Sequence, residues 1–344
     1  MRVLPSRPSR TLALLLGIAG LFTAAARAHH YRLESATSPT PFLRENRPET
    51  AIVPAGIATI GGGERVLVAD ARGGSLHMID VATGAIVGKP LTSPRFPEAT
   101  GTGPDWAGLA ADSKGNFYLV GSNSGRTDEE RAARGWLVRF RLKEGEAPAI
   151  DDASVACWDL SRSIDEALKA LKLDAAAIEG RRVEGLAIRE GGGRRELVLG
   201  LRRPSDKIRA LAADITTPPS PGAAMAFRSL FGFDAGHPEG GVEQLVAMEH
   251  VAEMGGTVVL TSAIGDDGVS RGNTIWLVPN GERRRANRYA TLEPGSTAGG
   301  LSVLGVRSGG LGTTIHLLIT YDRKPGATAA PGRFQKVTLL HPRN

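Results

Sequence analysis

The most constraining feature of this 344-residue sequence is a unit that recurs five times. Each copy opens with a small or acidic residue, a glycine and a branched aliphatic residue, and an apolar strand follows after a turn. The openings are Ala55-Gly56-Ile57, Ala107-Gly108-Leu109, Glu184-Gly185-Leu186, a degenerate Glu243-Gln244-Leu245, and Gly299-Gly300-Leu301. The second strands cover residues 66–69, 117–120, 197–201, 258–264 and 316–321. A chain of this kind is built from similar modules in tandem.

Each unit continues with a third strand, and four units continue with an outer fourth strand. The third strands are predicted at 75–80, 136–142, 208–215, 273–278 and 334–340, and the outer strands at 85–91, 155–160, 225–231 and 287–292. The fifth unit reaches the end of the chain before an outer strand. We therefore expect residues 31–43 to supply that strand and to close a ring.

The second strands are apolar at consecutive positions, which indicates that both of their faces are covered. Tandem four-stranded antiparallel sheets covered on both faces are typical of a β-propeller. The sequence therefore predicts an all-β propeller with five recognisable four-stranded blades, and six is the alternative count. Residues 29–344 form one domain in this interpretation. Residues 245–254 fit a strand or a helix by periodicity, and their place in the repeat favours a strand.

One spacing between units is longer than the others. Successive openings lie 52, 77, 59 and 56 residues apart, so the second interval contains an insertion. A helical segment around 161–180 is predicted there, because Ser163 and Glu166 fit a capping box. Four apolar residues share one face of this helix, namely Ile164, Ala167, Leu168 and Leu171. We expect the helix to lie on the outside of the propeller.

The first 28 residues have the pattern of a secretory signal. A basic start precedes the apolar run 11–26, and Ala26-Arg27-Ala28 fits a cleavage site. The protein is predicted to be exported to the periplasm or the extracellular space, with an uncleaved anchor as the alternative. No later stretch is long enough to span a membrane. Cys157 is the single cysteine, so an internal disulfide is excluded.

The net charge of +6 is concentrated in the predicted signal. That segment holds four of the 42 basic residues and no acid, so the mature chain has 38 basic against 36 acidic residues. A charge of +2 with only 5% aromatic residues argues against nucleic-acid binding.

Part of the chain resembles a bacterial family known as domain of unknown function 3616. The resemblance is carried by Val183-Glu184-Gly185-Leu186-Ala187-Ile188 with residues 197–204 (LVLGLRRP), by Gly121-Ser122-Asn123-Ser124 and by Ile319-Thr320-Tyr321-Asp322. A looser similarity connects the chain with exported propellers described as phytase-like or esterase-like. The resemblance implies an exported propeller and no established reaction. An acid precedes Gly-Leu clearly in only one unit here, so a ring of equivalent carboxylates is not implied.

The start of the first strand and the end of the second lie at the same edge of an antiparallel hairpin. Around a ring, these positions converge on one mouth of the central channel. The predicted ligand-binding residues are Asp70, Asp105, Ser122, Glu184, Arg202, Arg203 and Asp322, with Tyr321 beside them. Alternatively, the acids and serine cap turns and the arginines pair with nearby acids. The other arginine clusters, at 181–182, 194–195 and 283–285, are interpreted as solvated loop charge.

The sequence leaves open whether the protein is an enzyme. It has no Gly-x-Ser-x-Gly, Walker or paired-histidine zinc motif. The first hypothesis is therefore a scaffold whose mouth binds a small anionic ligand, a metal or an extracytoplasmic protein. The alternative is a calcium-assisted phosphoesterase or esterase of the phytase-like type. Its calcium ligands would be Asp70, Asp105, Glu184 and Asp322, with Arg202 and Arg203 orienting the anion.

Overall fold

A computed structural model of the protein describes residues 32–42, 52–72, 74–97, 105–143, 148–202, 207–236, 241–267, 270–281, 285–292, 297–322 and 332–342. The predicted signal at 1–28 lies outside these ranges. Within them, no helix combines the length and the apolar character that crossing a bilayer requires.

Five antiparallel sheets follow one another along the chain, and each is one blade of a β-propeller. Two short strands come first, β1 (Arg32–Ala36) and β2 (Thr40–Pro41). Blade 1 contains β3 (Pro54–Ile60), β4 (Arg65–Asp70), β5 (Leu76–Asp80) and β6 (Ile86–Leu91). Blade 2 contains β7 (Trp106–Ala111), β8 (Phe117–Gly121), β9 (Trp136–Phe140) and β10 (Ala156–Asp159). Blade 3 contains β11 (Val183–Gly191), β12 (Arg194–Leu201), β13 (Ile208–Asp214) and β14 (Arg228–Phe233). Blade 4 contains β15 (Val242–Val251), β16 (Gly256–Ile264), β17 (Ser270–Pro279) and β18 (Asn287–Leu292). Blade 5 contains β19 (Ala298–Gly309), β20 (Gly312–Tyr321) and β21 (Arg333–Pro342). The all-β propeller prediction with five blades is confirmed.

The N-terminal strands complete the fifth blade. Strand β1 pairs antiparallel with β21, with Arg32 opposite Leu340 and Ala36 opposite Val337. Strand β2 also pairs with β21, where Thr40 lies opposite Phe334. The first strands of neighbouring blades contact one another, and β19 contacts β3. The ring is thus closed by the segment that the sequence predicts.

The hydrophobic core consists of five clusters, one between each pair of adjacent blades. Strand β12 shows how one strand contributes to two of them. Leu197 and Leu199 belong to the cluster between blades 2 and 3, whereas Val198 belongs to the cluster between blades 3 and 4. Successive side chains of a strand point to opposite faces. A strand that packs against two neighbouring blades must therefore be apolar at consecutive positions.

The opening glycines lie where the inner strands approach one another most closely. A β-bulge precedes Gly56, Gly108, Gly185 and Gly300 in the pairing of the first two strands. A Cβ atom on Gly56 would lie 2.4 Å from the backbone nitrogen of Leu109, and one on Gly108 would lie 2.8 Å from the Cβ of Leu186. Both distances are too short for any side chain. The repeat is therefore required by packing around the axis.

Blade 4 departs from the predicted alignment. Its bulge lies between Leu245 and Ala247, so Ala247 takes the place that glycine has in the other blades. Gln244 lies three residues earlier and is not the equivalent of Gly185. The prediction of Glu243-Gln244-Leu245 as the fourth opening is therefore wrong in register. Alanine has the smallest side chain after glycine, which allows the substitution. The strand prediction for this segment is correct, and a 3-10 turn (Ala252–Met254) follows it.

Three helices border blades 2 and 3, namely α1 (Asp128–Ala133), α2 (Ser161–Ala170) and α3 (Ala175–Glu179). The predicted apolar face of α2 is confirmed, because Ile164, Ala167 and Leu168 are buried in the cluster between these blades. The capping box is wrong. The helix begins at Ser161, whose backbone N–H donates to Asp159, and the Ser163 hydroxyl accepts from the backbone N–H of Met225.

Helix α1 is absent from the sequence prediction, although its sequence carries the signal. Thr127 Oγ1 accepts from the backbone N–H of Glu130, and the Glu130 carboxylate accepts from the N–H of Arg126. A threonine followed three residues later by glutamate is the pattern that starts a helix. Here it begins a helix of six residues beside the end of blade 2.

Candidate functional site

The starts of the inner strands and the ends of the second strands lie at one end of the propeller, where charged residues from three blades meet. We call this group the charged mouth, and it consists of Asp105, Arg182, Glu184, Arg202 and Gln244. Asp105 precedes β7, Arg182 precedes β11, and Glu184 is the bulge residue of β11. Arg202 follows β12, and Gln244 lies in β15. Blade geometry therefore brings residues from blades 2, 3 and 4 together.

The charged mouth is a continuous chain of ionic and polar contacts. Arg182 Nε lies 2.5 Å from Glu184 Oε1, and Arg182 Nη2 lies 3.5 Å from Asp105 Oδ1. Arg202 Nη1 lies 3.4 Å from the same glutamate oxygen. The Nε–H of Arg202 donates to the Gln244 side-chain oxygen. The two carboxylates are thus matched by two guanidiniums.

Two serines hold Asp105 from the side of blade 2. Ser122 Oγ donates to Asp105 Oδ2 at 2.6 Å, and Ser124 Oγ donates to the same oxygen at 3.2 Å. Asp105 itself adopts φ 44°, a conformation that aspartate tolerates better than most residues. The Ser122 side chain is fully buried. Its hydroxyl therefore positions Asp105 from within the protein.

The pKa of Glu184 departs from its ordinary value. Burial raises its pKa, while the guanidiniums of Arg182 and Arg202 oppose that rise. The net direction is upward from the ordinary value. The same ion pairs raise the pKa of Arg182 against the effect of its own burial. Arg182 therefore remains charged beside an acid that is harder to ionise than usual.

The structure brings together only some of the residues predicted at this mouth. Asp105, Ser122, Glu184 and Arg202 belong to the contacts described above. The Asp70 carboxylate instead accepts from the backbone N–H groups of Val53 and Arg72. This is the turn-capping alternative.

The predicted residues of blade 5 make other contacts. The Asp322 backbone N–H donates to Thr297, and the Tyr321 hydroxyl donates to Gln335. Arg203 lies outside the described residues. The mouth is therefore concentrated at blades 2 to 4.

Sequence reasoning missed Arg182, which is central to the cluster. The interpretation of residues 181–182 as solvated loop charge is wrong. Arg181 is buried, pairs with Asp165 at 2.6 Å and donates through Nε to Asn123. A usable signal was present, since Arg182 lies two residues before Glu184 and alternation along a strand places such residues on one face.

The same error applies to Arg195. Its guanidinium pairs with the buried carboxylate of Asp112, which also accepts from the Tyr118 hydroxyl at 3.2 Å. Burial, with Asp112 as the next cause, raises the pKa of Tyr118 to about 12. This network joins a turn of blade 2 to blade 3. Of the third cluster, only Arg285 lies within the described residues.

A cleft adjoins the charged mouth between α1 and the end of α3. We call it the arginine cleft, and its volume is about 470 Å³. It is lined by Ser124, Gly125, Arg126, Glu130, Arg134, Glu179, Gly180, Arg181 and Arg182. Four arginines therefore face two glutamates. Asp165 matches Arg181, and Glu184 and Asp105 pair with Arg182, so Arg126 and Arg134 are the lining arginines left to face Glu130 and Glu179.

The channel narrows sharply inside the charged mouth. The space there is about 10 Å³, hardly room for one water molecule, and side chains of all five blades line it. They include Ile57, Leu109, Leu186, Met248 and Leu301. We call these five residues the waist. An apolar layer therefore separates the two ends of the channel.

The donor set does not fit the expected calcium site. Within the described ranges, no group of three or more histidine, cysteine or acidic side chains is placed to hold a metal ion. Asp105 and Glu184 are both paired with Arg182, so a cation of the protein already lies between them. We derive no chemical step through a metal here.

No protein-family model matches the chain, and no curated protein matches it. Solved structures with a similar fold include the α-L-arabinofuranosidase of Podospora anserina, at 13% identity and a TM-score of 0.49, covering 91% of this chain and 98% of that one. The catalytic domain of an α-L-arabinofuranosidase from Coprinopsis cinerea has 13% identity and a TM-score of 0.47, covering 90% and 98%. The calcium-binding protein regucalcin from Agrobacterium tumefaciens has 11% identity and a TM-score of 0.43, covering 89% and 95%. These likenesses concern the fold alone.

Proposed function

We propose that this protein is an exported β-propeller that binds a small anion, a carboxylate or a phosphate ester, in the arginine cleft beside the charged mouth. The proposal concerns binding and includes no reaction. It unites the arginines of the cleft with the predicted mouth residues Asp105 and Glu184, which hold Arg182 in one wall of the cleft.

The observation that carries the proposal is the state of Arg134. Its Nε is buried and has no hydrogen-bond partner among the described residues. Its Nη1 approaches the backbone oxygen and the hydroxyl of Ser124 only at 3.4 and 3.5 Å. A buried donor without a partner is costly. An anion in the cleft would supply the missing acceptor through a charge-assisted hydrogen bond.

Arg182 provides the link between the mouth and the cleft. Its contacts with Glu184 and Asp105 engage Nε and Nη2 of a group that carries five N–H donors. The remaining donors are available for a ligand, since Arg182 lines the cleft. Asp105 and Glu184 thereby act as positioning residues for the guanidinium. Arg126 adds a third cation, exposed at the rim.

A thermal-shift and calorimetric screen tests the proposal. The purified protein is titrated with succinate and with glycerol phosphate, which separates carboxylate from phosphate as the preferred group. At 100 times the dissociation constant, a ligand stabilises the folded state by about 2.7 kcal/mol. We expect one of the anions to raise the melting temperature in the wild-type protein and to lose most of its effect in Arg134→Gln.

The matched control is Arg162→Gln. Arg162 is an exposed arginine on α2 that pairs with Glu166, away from the cleft lining. This variant should bind like the wild-type protein. The proposal fails if neither anion shifts the melting temperature at millimolar concentration, or if both variants respond equally.

The same screen addresses the calcium-assisted hydrolase. Calcium and a chelator are added in separate arms, with phosphate and carboxylate esters as substrates. The charged mouth supports the hydrolase less than anion binding, because Arg182 already pairs with Asp105 and Glu184, the two carboxylates that would hold calcium. A stabilising shift by calcium that disappears in Glu184→Gln would favour the hydrolase over simple anion binding. Export is tested separately, as the mass of the mature protein should correspond to a chain that begins at His29.

A further inference from the structure

A second cavity lies on the other side of the waist, between the inner strands. Its volume is about 220 Å³, and residues of β3, β7, β11 and β15 line it. We call it the axial cavity. Its lining combines aliphatic side chains, including Ile57, Leu109, Leu186 and Ile188, with polar groups that include Thr59 and Glu249. None of the residues predicted at the mouth lines this cavity.

Glu249 is held in place by the neighbouring inner strand. Its Oε2 accepts from the backbone N–H of Val303 at 2.8 Å, and it also interacts with the Ser302 hydroxyl. The Ser302 hydroxyl lies 2.7 Å from Thr59 Oγ1, which donates to the Val303 backbone oxygen at 2.9 Å. Contacts from blades 1 and 5 therefore fix a carboxyl group from blade 4. Such positioning is what a binding site requires.

No positive charge of the described protein compensates Glu249. Within the described ranges it forms no ion pair with lysine, arginine or histidine. The other titratable groups that line the cavity are Glu190 and His250. Glu190 accepts from the Ser113 backbone N–H and lies 3.8 Å from Arg195 Nε, so its charge is already engaged.

The protonation states agree with this picture. His250 Nδ1 lies 3.4 Å from the Thr257 hydroxyl, and burial lowers the pKa of His250 to about 4, so the imidazole is neutral near pH 7. Burial raises the pKa of Glu249 to about 8. A buried carboxyl group resists ionisation when no cation compensates it. The cavity therefore has a specific place for a positive charge and none for a second negative one.

We propose that the axial cavity binds a small organic ammonium ion, with its N–H groups on Glu249 and its compact hydrocarbon body against Leu109 and Leu186. The size is suitable, because an apolar cavity of about 150 Å³ accepts benzene. An anion would find no cation among the lining side chains, since His250 is neutral near pH 7. A divalent metal would find a single fixed carboxylate, since Glu190 is engaged with Arg195. The inference is independent of anion binding in the arginine cleft, which lies at the other end of the channel.

Calorimetry with cyclohexylammonium chloride tests the proposal, and cyclohexanol serves as the neutral probe of the same shape. We expect the ammonium ion to bind at least tenfold more tightly than the alcohol at pH 9. Its affinity should increase about tenfold between pH 7 and pH 9, because the Glu249 proton must leave on binding. Titrations of the wild-type protein at pH 7 in buffers of different ionisation enthalpy should show release of nearly one proton.

Glu249→Gln and Glu253→Gln form the matched pair of variants. Glu253 is exposed in the turn that follows the same strand and does not line the cavity. We expect Glu249→Gln to bind the ammonium ion no better than the alcohol, and Glu253→Gln to behave like the wild-type protein. The proposal is overturned if the alcohol binds as well as the ammonium ion, if neither probe binds, or if Glu249→Gln retains the preference. If Glu249→Gln does not fold, proton release on binding by the wild-type protein still tests the proposal, and binding without proton release at pH 7 would contradict it.

Discussion

The two ends of the central channel differ in whether their carboxylates are paired with arginines. At the charged mouth, Asp105 and Glu184 are matched by Arg182 and Arg202 from neighbouring segments. In the axial cavity, Glu249 stands without a cation of the described protein. Both ends use carboxylates on the inner strands or immediately before them. We therefore expect the partner of a carboxylate, rather than the carboxylate itself, to determine what an end of the channel binds.

The reason for the difference lies in what borders each end. The helical insertion and the loops beside it lie next to the charged mouth, and they contribute Arg134, Arg181 and Arg182. Inner strands line the axial cavity, and their apolar residues also form the waist. Polar side chains from irregular segments are thus added to a rigid scaffold at one end only.

The largest loss of stability is expected from a substitution beside the waist, which separates the two ends of the channel. In Gly56→Ala, the new Cβ would meet the Leu109 backbone nitrogen at 2.4 Å, which a flexible side chain cannot relieve. We expect a loss of about 4 kcal/mol in the free energy of unfolding, measured by urea denaturation. Gly305→Ala is the control, because Gly305 lies in an inner strand with open space at its Cβ position. Equal losses in both variants would contradict close packing around the axis.

The next effect concerns the pH dependence of stability at the axial cavity. The folded-state pKa of Glu249, about 8, lies above its ordinary value of 4.5. Its contribution to stability is therefore complete below pH 4.5 and is lost as the pH rises towards 8. Glu249→Gln should lack this loss. We expect the variant to gain about 3 kcal/mol relative to the wild-type protein between pH 6 and pH 9 in denaturation experiments. A constant difference over this range would show that Glu249 ionises normally.

A smaller effect is expected from removing a cation at the charged mouth. Arg182→Gln leaves Asp105 and Glu184 without their shared partner, so we expect a loss of about 2 kcal/mol at pH 7. The loss should shrink in Glu184→Gln/Arg182→Gln, because one of the two remaining charges is then absent. A double-mutant cycle measures the coupling, which we expect to be about 1 kcal/mol. Strict additivity would mean that the Arg182–Glu184 contact contributes little.

The smallest effect concerns the helix beside the arginine cleft. Thr127 caps α1, and Thr127→Ala should destabilise this helix by about 1 kcal/mol. Amide exchange of residues 128–133 reports the change, and anion affinity in the cleft should fall with it. Asp151→Ala, which removes a comparable cap from a 3-10 turn that does not line the cleft, serves as the control. Unchanged affinity in Thr127→Ala would separate α1 from the site.

Much of the architecture is predictable because it depends on local patterns. Consecutive apolar residues, as in residues 197–201, indicate a strand between two neighbours, and Gly56 and Gly108 indicate close approach. The missing outer strand of the last unit indicates that the N-terminal segment completes it. The register of blade 4 is less accessible, because the position of a bulge depends on the partner strand. Alanine at position 247 carries no glycine signal.

The candidate sites were only partly predictable for a related reason. The rule that strand starts and strand ends converge at one mouth identifies Asp105, Glu184 and Arg202, because these positions follow from the order of the strands alone. It overestimates Asp70, whose carboxylate is engaged in its own turn, and it misses Arg182 and Arg134. It does not reach Glu249 at all, because an acid in the middle of a repeat unit looks like an ordinary solvated residue.

The sequence by itself determined the five recognisable modules, most of the strands within them and the segment that closes the ring. These features depend on periodicity and on the volume of single side chains, which neighbouring residues reveal. Only the tertiary structure decided which charges meet. Asp105 and Arg182 lie 77 positions apart in the chain and Glu249 and Val303 lie 54 apart, and the packing of neighbouring blades brings each pair together. Electrostatic interactions depend on distance and burial in three dimensions, so their partners are determined by packing rather than by local pattern.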